Sequence, residues 1–228
     1  ATPINFTVVF SKPVTGFIGT DVALAGTAGA TTAVVTGSGT TYNVAVSGMT
    51  GNGTVIATVP ANSAQDAVGN GNANSTSADN TVTYDTIAPT VTINQAATQT
   101  DPTGASPLYF TVVFSEPMNA STFIGTDVTL SGTAGATTAV VTGSGTTYTV
   151  AVSGMTVSGT VIATLPAGRV QDLAGNNNTA STSTDNTITY DITLPSVTIN
   201  RAIGQADPTN GSPINFTVVF SKLMTGFA

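Results

Sequence analysis

The hexapeptide Phe-Thr-Val-Val-Phe-Ser occurs three times in the chain, at residues 6–11, 110–115 and 216–221. Its alternating apolar residues place Phe110, Val112 and Phe114 on one face of an extended strand. β-Branched and aromatic residues favour strands over helices, and the rest of the sequence is rich in threonine, valine, alanine and glycine. The hexapeptide therefore predicts a buried strand in an all-β protein and indicates an internal repeat.

The repeat extends far beyond this hexapeptide. Residues 17–85 align with residues 123–191 without a gap, and 53 of the 69 aligned positions are identical. Asp85 and its copy Asp191 each end a Thr-rich strand four residues before a proline, which fixes an extended path into the next strand. These boundaries predict a first unit at residues 1–86 that lacks its opening strand, a complete second unit at 87–191, and the first two strands of a third unit at 192–228.

Strand patterns separated by turn residues follow one another through the second unit. Seven strands in a unit of about 105 residues are typical of an immunoglobulin-like β-sandwich. We therefore expect tandem domains of this kind, with Tyr148, Val150 and Val152 in the core. The predicted strands cover residues 89–94, 108–115, 127–130, 137–142, 146–153, 159–165 and 186–190.

The composition excludes most catalytic chemistry. The chain contains no His, Cys or Trp, so it has no imidazole base, no thiolate nucleophile, no disulfide and no thiolate zinc site. The adjacent pair Ser11 and Lys12 does not form a nucleophile with its base, because neighbouring strand residues point to opposite faces. We therefore predict that the protein is not an enzyme. A formal net charge of −7 also argues against nucleic acid as a partner.

Several motifs of the second unit resemble the bacterial immunoglobulin-like repeats. The resemblance is carried by Phe-Ser-Glu-Pro-Met at 114–118, Gln-Asp-Leu-Ala-Gly-Asn at 171–176 and Thr-Tyr-Asp at 189–191, followed by Leu194-Pro195. Repeats of that family occur in tandem in large surface proteins, adhesins and surface-layer proteins. The resemblance implies an extracellular β-sandwich array and no reaction. The low charged fraction of 7% is itself more typical of exported than of cytosolic proteins.

The placement of the few acidic residues suggests a cation site. Ten of the eleven acids fall in pairs related by the repeat, and Glu116 is the exception. The long loop at residues 166–185 is expected at the end where the chain enters the second unit, so Asp172 and Asp185 would approach Asp85. Carboxylate and amide oxygens are suitable ligands for Ca²⁺. The hypothesis is a Ca²⁺ ion at Asp85, Asp172 and Asp185 that stiffens the junction between units.

The alternative is that the segment from Asp172 to Asn176 is only a turn. In such a turn the aspartate accepts hydrogen bonds from backbone N–H groups two residues on, and the glycine takes a positive φ. The spacing matches no dedicated calcium loop. Both interpretations are compatible with the sequence.

Tandem sandwiches joined by short linkers that contain proline predict a semi-rigid rod. We expect a structural component of an extracellular or cell-surface fibre, stalk or sheath, whose partners are neighbouring repeats of the same or identical chains. The alternative is an adhesin module that recognises a glycan or a host protein through its end loops. Two observations argue against this alternative. The copies agree even in their loops, and the chain lacks tryptophan, a residue that is enriched in recognition surfaces. No apolar run is long enough to predict a transmembrane segment.

Two ways of building the rod follow from the repeat. Either one long covalent chain carries many units, which we favour, or shorter subunits polymerise by strand donation from residues 192–228. Insertion of that whole segment into the first unit of another chain would clash, because the first unit already has its own second strand. A decoration on a phage tail or capsid is a further use of such sandwiches.

Overall fold

A computed structural model describes residues 3–227, which form an all-β structure of fifteen strands. Pairing between these strands is antiparallel throughout. Three short 3-10 turns, at Gly19–Asp21, Ala120–Thr122 and Gly125–Asp127, are the helical segments of the described residues. The strands are β1 (Ile4–Thr15), β2 (Ala23–Ala25), β3 (Thr32–Ser47), β4 (Gly53–Thr58), β5 (Gln65–Asp66), β6 (Thr81–Tyr84), β7 (Val91–Gln95), β8 (Leu108–Phe114), β9 (Thr129–Ser131), β10 (Thr138–Ser144), β11 (Thr147–Ser153), β12 (Gly159–Thr164), β13 (Thr187–Tyr190), β14 (Val197–Arg201) and β15 (Phe216–Phe220).

The second unit contains two sheets that share one hydrophobic core. The larger sheet has the order β10-β11-β8-β7 and the smaller one the order β13-β12-β9. Alternate residues of β8 and β11 point into the core, so that Phe110, Val112, Val150 and Val152 are fully buried. Val161 of β12 belongs to the same cluster from the other sheet. The predicted face assignment of these strands is confirmed.

The seven strands predicted for the second unit are all present as β7 to β13. The third of them, β9, begins at Thr129 rather than at the predicted residue 127. The preceding residues Gly125–Asp127 form a 3-10 turn instead, in which the Asp127 carboxylate accepts the backbone N–H of Ile124 at 2.8 Å. The side chain of an aspartate thus competes with strand pairing at this position.

The first unit has a related arrangement of six strands, in which the long β3 spans the positions of both β10 and β11 and the short β5 is added. Its sheets have the orders β3-β1-β5 and β2-β4-β6, and they share a second, separate core cluster. Within residues 3–86, no strand corresponds to β7. As a result Phe6 is only half-buried whereas its copy Phe110 is fully buried, and Val82 is exposed whereas its copy Ile188 is fully buried.

The third unit is represented by β14 and β15, which pair with each other in a two-stranded sheet. Val197 and Ile199 of β14 are the copies of Val91 and Ile93, yet they are 56% and 64% exposed. Their exposure reflects the lack of a second sheet over this pair among the described residues.

None of the helical segments among residues 3–227 is long and apolar enough to cross a membrane.

A candidate cation site at the junction of two units

Three carboxylates converge where the first unit joins the second. Asp85 lies in the linker directly after β6, Glu116 lies just after β8, and Asp172 lies in the loop between β12 and β13. One carboxylate oxygen of each residue lies within 4.8 Å of those of the other two. Asp172 is buried and the other two side chains are half-buried. The chain therefore concentrates negative charge at this junction.

The loop of Asp172 is a closed turn held by its own aspartate. The carboxylate oxygen Oδ1 of Asp172 accepts the backbone N–H groups of Ala174 and Asn176, both at 2.8 Å, and Oδ2 accepts the Asn176 amide at 2.9 Å. Gly175 has φ +90°, a conformation that side chains with a Cβ rarely adopt. A backbone hydrogen bond connects this turn to the segment that carries Glu116: the N–H of Asn119 donates to the carbonyl of Gln171 at 2.9 Å.

The linker aspartate contacts both units. Its carboxylate oxygen Oδ1 accepts the Asn52 amide of the first unit at 2.8 Å and the backbone N–H of Ile87 at 3.0 Å. The amide of Asn176, in the second unit, donates to the backbone carbonyl of Asp85 at 3.2 Å. These contacts fix the position of Asp85, through its side chain and its backbone, relative to both neighbours.

The carboxyl group of Glu116 is affected by its burial and by the two neighbouring acids. Partial burial raises the pKa of its carboxyl group, and the neighbouring charges of Asp85 and Asp172 raise it further, together with a hydrogen bond to Asp85. None of the ion pairs formed within residues 3–227 involves Glu116. A proton or a bound cation would relieve the repulsion among the three carboxylates.

The same position in the other two units carries a lysine. Lys12 lies 3.8 Å from Asp66, the copy of Asp172. Lys222 donates to Asp191, the copy of Asp85, at 2.5 Å and to the carbonyl of Thr193 at 2.6 Å. The hydrogen bond from Lys222 lowers the pKa of Asp191 to about 2. In the first and third units a lysine ammonium group thus lies beside one of the repeated aspartates. In the second unit the carboxylate of Glu116 occupies the position of that lysine.

The structure brings together two of the three residues of the predicted Ca²⁺ site. Asp85 and Asp172 lie in the cluster, but Asp185 lies outside it and Glu116 completes the group. The reason is the path of residues 179–185, which run parallel to β7 rather than staying at its beginning. Thr182 pairs with Thr92, and the carbonyl of Asp185 accepts the N–H of Gln95 at the far end of β7.

The sequence contained a signal for Glu116. It is the one acid without an acidic copy, because Lys12 and Lys222 occupy the corresponding positions. It also directly follows the end of the strand that carries the repeated hexapeptide. An acid in one unit and a lysine in the others indicates a position at which charge matters.

The cluster fits Ca²⁺ in the chemistry of its donors. Three carboxylates are hard oxygen ligands, and the carbonyl and amide oxygens nearby are of the same kind. Ca²⁺ takes about six to eight oxygens, so with one oxygen each Asp85, Glu116 and Asp172 would supply half or fewer of them. The hypothesis of a bound Ca²⁺ stays a prediction.

No family model, no curated protein and no solved structure matches the chain. The resemblance to bacterial immunoglobulin-like repeats therefore remains a prediction from the motifs at residues 114–118, 171–176 and 189–191.

Proposed function

We propose that the chain is a mechanical segment of an extracellular or cell-surface fibre, stalk or sheath, built from tandem immunoglobulin-like β-sandwich repeats and without catalytic activity. The observation that carries the proposal is the construction of its junctions. A rod transmits force or maintains reach only if neighbouring units are held in a defined orientation. The linker residue Asp85 is hydrogen-bonded to both of its neighbours, through Asn52 and Asn176.

The second junction has the same design with different residues. The hydroxyl of Ser158, the copy of Asn52, accepts the backbone N–H of Ile192 at 2.9 Å and contacts Thr193 at 3.0 Å. Lys222 then joins Asp191 to the third unit. Two successive linkers with side-chain contacts to both sides support a semi-rigid array rather than a string of freely jointed domains.

The near-identity of the units also supports a mechanical role. A recognition surface normally differs from its neighbours, because binding energy is concentrated in a few specialised residues. Here 53 of 69 aligned residues are identical in the first two units. Repetition of the same unit increases length, which is the property that a stalk or fibre needs.

A divalent cation at Asp85, Glu116 and Asp172 is part of the proposal. It would offset the repulsion that contributes to the raised pKa of Glu116. It would also connect Asp85 of the linker to the segment after β8 and to the loop between β12 and β13. The role proposed for the cation is therefore to stiffen this junction, and no chemical step depends on it.

Pulling single molecules of the 228-residue chain tests the mechanical role. Unfolding of the second unit should give a separate force peak. Its contour-length increment should equal the extended length of about 105 residues, roughly 350–380 Å at about 3.3–3.6 Å each, less the end-to-end distance of the folded unit. Extension without any force peak would refute the proposal. Labelling of intact cells with an antibody raised against the chain tests the extracellular location separately, and signal only after permeabilisation would contradict it.

A further inference from the structure

The outer face of the four-stranded sheet in the second unit carries no charge. This face is formed by β10, β11, β8 and β7, and none of these strands contains a charged residue. The charged residues of the second unit lie in its turns and loops instead. Contact with another surface at this face would therefore remove no ion from water, and the burial of unpaired charge is what makes such contacts costly.

An apolar row crosses this face from strand to strand. Val140 pairs with Ala151, and Ala151 pairs with Tyr109. The residues on either side of Ala151 and Tyr109 are buried, so these two side chains point outward. Ala96, just after β7, continues the row, because its backbone N–H donates to the carbonyl of Tyr109 at 2.9 Å and it shares the face of Thr92 by alternation. Val140 is 54% exposed and Tyr109 41%.

The tyrosine of this row is specific to the second unit. Its copies in the first and third units are Asn5 and Asn215. In the first unit Asn5 accepts a hydrogen bond from the Asn43 side chain at 3.2 Å, and the copy of Asn43 in the second unit is Thr149. The second unit thus replaces a polar pair with an aromatic and a β-branched residue. Tyrosine is enriched at protein interfaces, so this replacement indicates a contact surface.

We infer that this face binds the same face of a second copy of the chain, around a twofold axis that passes between Ala151 and Tyr109. The rows of the two copies then run in opposite directions. Tyr109 lies over the partner's Ala151, and Val140 lies over the partner's Ala96. Every contact along the row joins a larger side chain to alanine, the alternation that lets two packed layers interdigitate. A twofold contact requires such self-complementarity, because both copies contribute the same patch.

The size of the face predicts a weak contact. Strands of seven residues, such as β8 and β11, are roughly 23 Å long, and four strands span roughly 19 Å. Two such faces would bury roughly 900 Å² in total, less than the approximately 1,200 Å² at which stable complexes begin. The dimer should therefore form only at high protein concentration.

The net charge of the chain opposes this contact from a distance. Each copy has a formal net charge of −7, so two copies repel one another before their uncharged faces meet. Added salt screens this repulsion. The association should therefore become stronger as the ionic strength rises, the opposite of what a contact held by ion pairs would show.

Sedimentation of the full 228-residue chain at micromolar to millimolar concentration tests the contact. The wild type should show an average mass that rises with concentration above 22.6 kDa. The double variant Tyr109→Asn/Thr149→Asn restores the asparagine pair of the first unit, so it should keep the circular dichroism spectrum of the wild type. Its dimer dissociation constant should be about tenfold higher or more, because both tyrosines of the dimer are lost.

The matched control is Thr129→Ala, which introduces the residue of the first unit, Ala23, on the other sheet. This variant should associate like the wild type. A wild type that is monomeric at every concentration, or a double variant that associates equally well, would overturn the inference. Binding of a neutral glycan by a monomeric chain, lost in the double variant, would overturn it too, because the face would then have a different partner.

Chemical cross-linking tests the direction of the row. The chain contains no cysteine, so Val140→Cys and Ala96→Cys introduce one thiol each. A short bismaleimide should join the two variants when they are mixed and give a product of about twice 22.6 kDa. Either variant alone should give little product, because its two thiols would lie about three strand spacings apart, roughly 14 Å along the row. Equal yields in the mixture and in the separate variants would contradict the twofold arrangement. The inference goes beyond the proposed function and does not rest on it, since the contact requires neither an extracellular location nor a mechanical load.

Discussion

Replacement of Glu116 with lysine converts the second unit to the charge pattern of its neighbours. In the wild type three carboxylates lie together, whereas Lys12 and Lys222 each lie beside an acid at the same position. The Glu116→Lys substitution removes the repulsion of Glu116 by Asp85 and Asp172 and introduces attraction to both. We therefore expect the variant to be more stable than the wild type at pH 7.

The size of the effect follows from the distances. Two unit charges 4.8 Å apart interact with about 0.9 kcal/mol at the dielectric constant of water and about 3.5 kcal/mol at an effective value of 20. The Glu116 side chain is half-buried, so the value near water is the better guide, and measured exposed pairs contribute about 0.2–1 kcal/mol each. Two repulsions replaced by two attractions are four such terms, which together give about 1–4 kcal/mol. For a unit of about 105 residues this raises the Tm by roughly 5–20 °C.

The pH dependence supplies the sharper test. The pKa of Glu116 is raised in the folded state, so the protonated carboxyl is favoured by folding. Its stabilising contribution is complete below the usual pKa of about 4.5 and is lost as the pH rises through the raised pKa of the folded state. The wild type should therefore lose stability in this window relative to Glu116→Lys and to the neutral control Glu116→Gln.

Thermal unfolding, followed by circular dichroism, measures these differences in stability. Measurements between about pH 4 and 8 cover roughly the range in which a carboxyl group with a raised pKa loses its proton. The Gln variant should show about half of the gain of the Lys variant, because it removes repulsion without adding attraction. A Lys variant that melts at or below the wild type at pH 7 would refute the electrostatic reasoning. Parallel pH profiles for the wild type and Glu116→Gln would refute it as well.

Four further results are expected. Millimolar Ca²⁺ should raise the Tm of the wild type but not that of Glu116→Lys, and the absence of both binding heat and a Tm shift would end the calcium hypothesis. Tyr42→Phe should destabilise the chain by about 1 kcal/mol, because its hydroxyl donates to a buried carbonyl at 2.8 Å. Tyr148→Phe should be neutral or stabilising in the same denaturant titration, since the buried Tyr148 hydroxyl has no partner among the described residues. Lys222→Met should return the pKa of Asp191 from about 2 towards its usual value in an NMR titration. The stabilisation from this pair is present above the usual pKa of about 3.8 and is lost as the pH falls through about 2.

The strands were predictable because their signals are local and repeated. Alternating apolar residues define the buried face of β8, and the exposed residues between them follow from the same period. The copies then supply the same signal twice. Sequence alone therefore located all seven strands of the second unit, with the main error at β9, where the Asp127 side chain forms a local turn.

The candidate site was only partly predictable because its geometry depends on a long connection. The sequence places Asp172 and Asp185 in one loop, and nothing local indicates that residues 179–185 run parallel to β7. That path is set by backbone hydrogen bonds such as the one from Thr182 to Val91. It carries Asp185 away from Asp85 and leaves the third place to Glu116, which belongs to a different part of the sequence.

The lysine or glutamate that follows the repeated hexapeptide has a consequence for any array of such units. A joint with lysine is neutralised internally, as at Lys222 and Asp191, and needs no cation from the solution. A joint with glutamate, as at Glu116, depends on protons or cations from the surroundings. In an array of such units, one residue per repeat would thus decide which joints respond to protons or divalent cations in the medium and which do not.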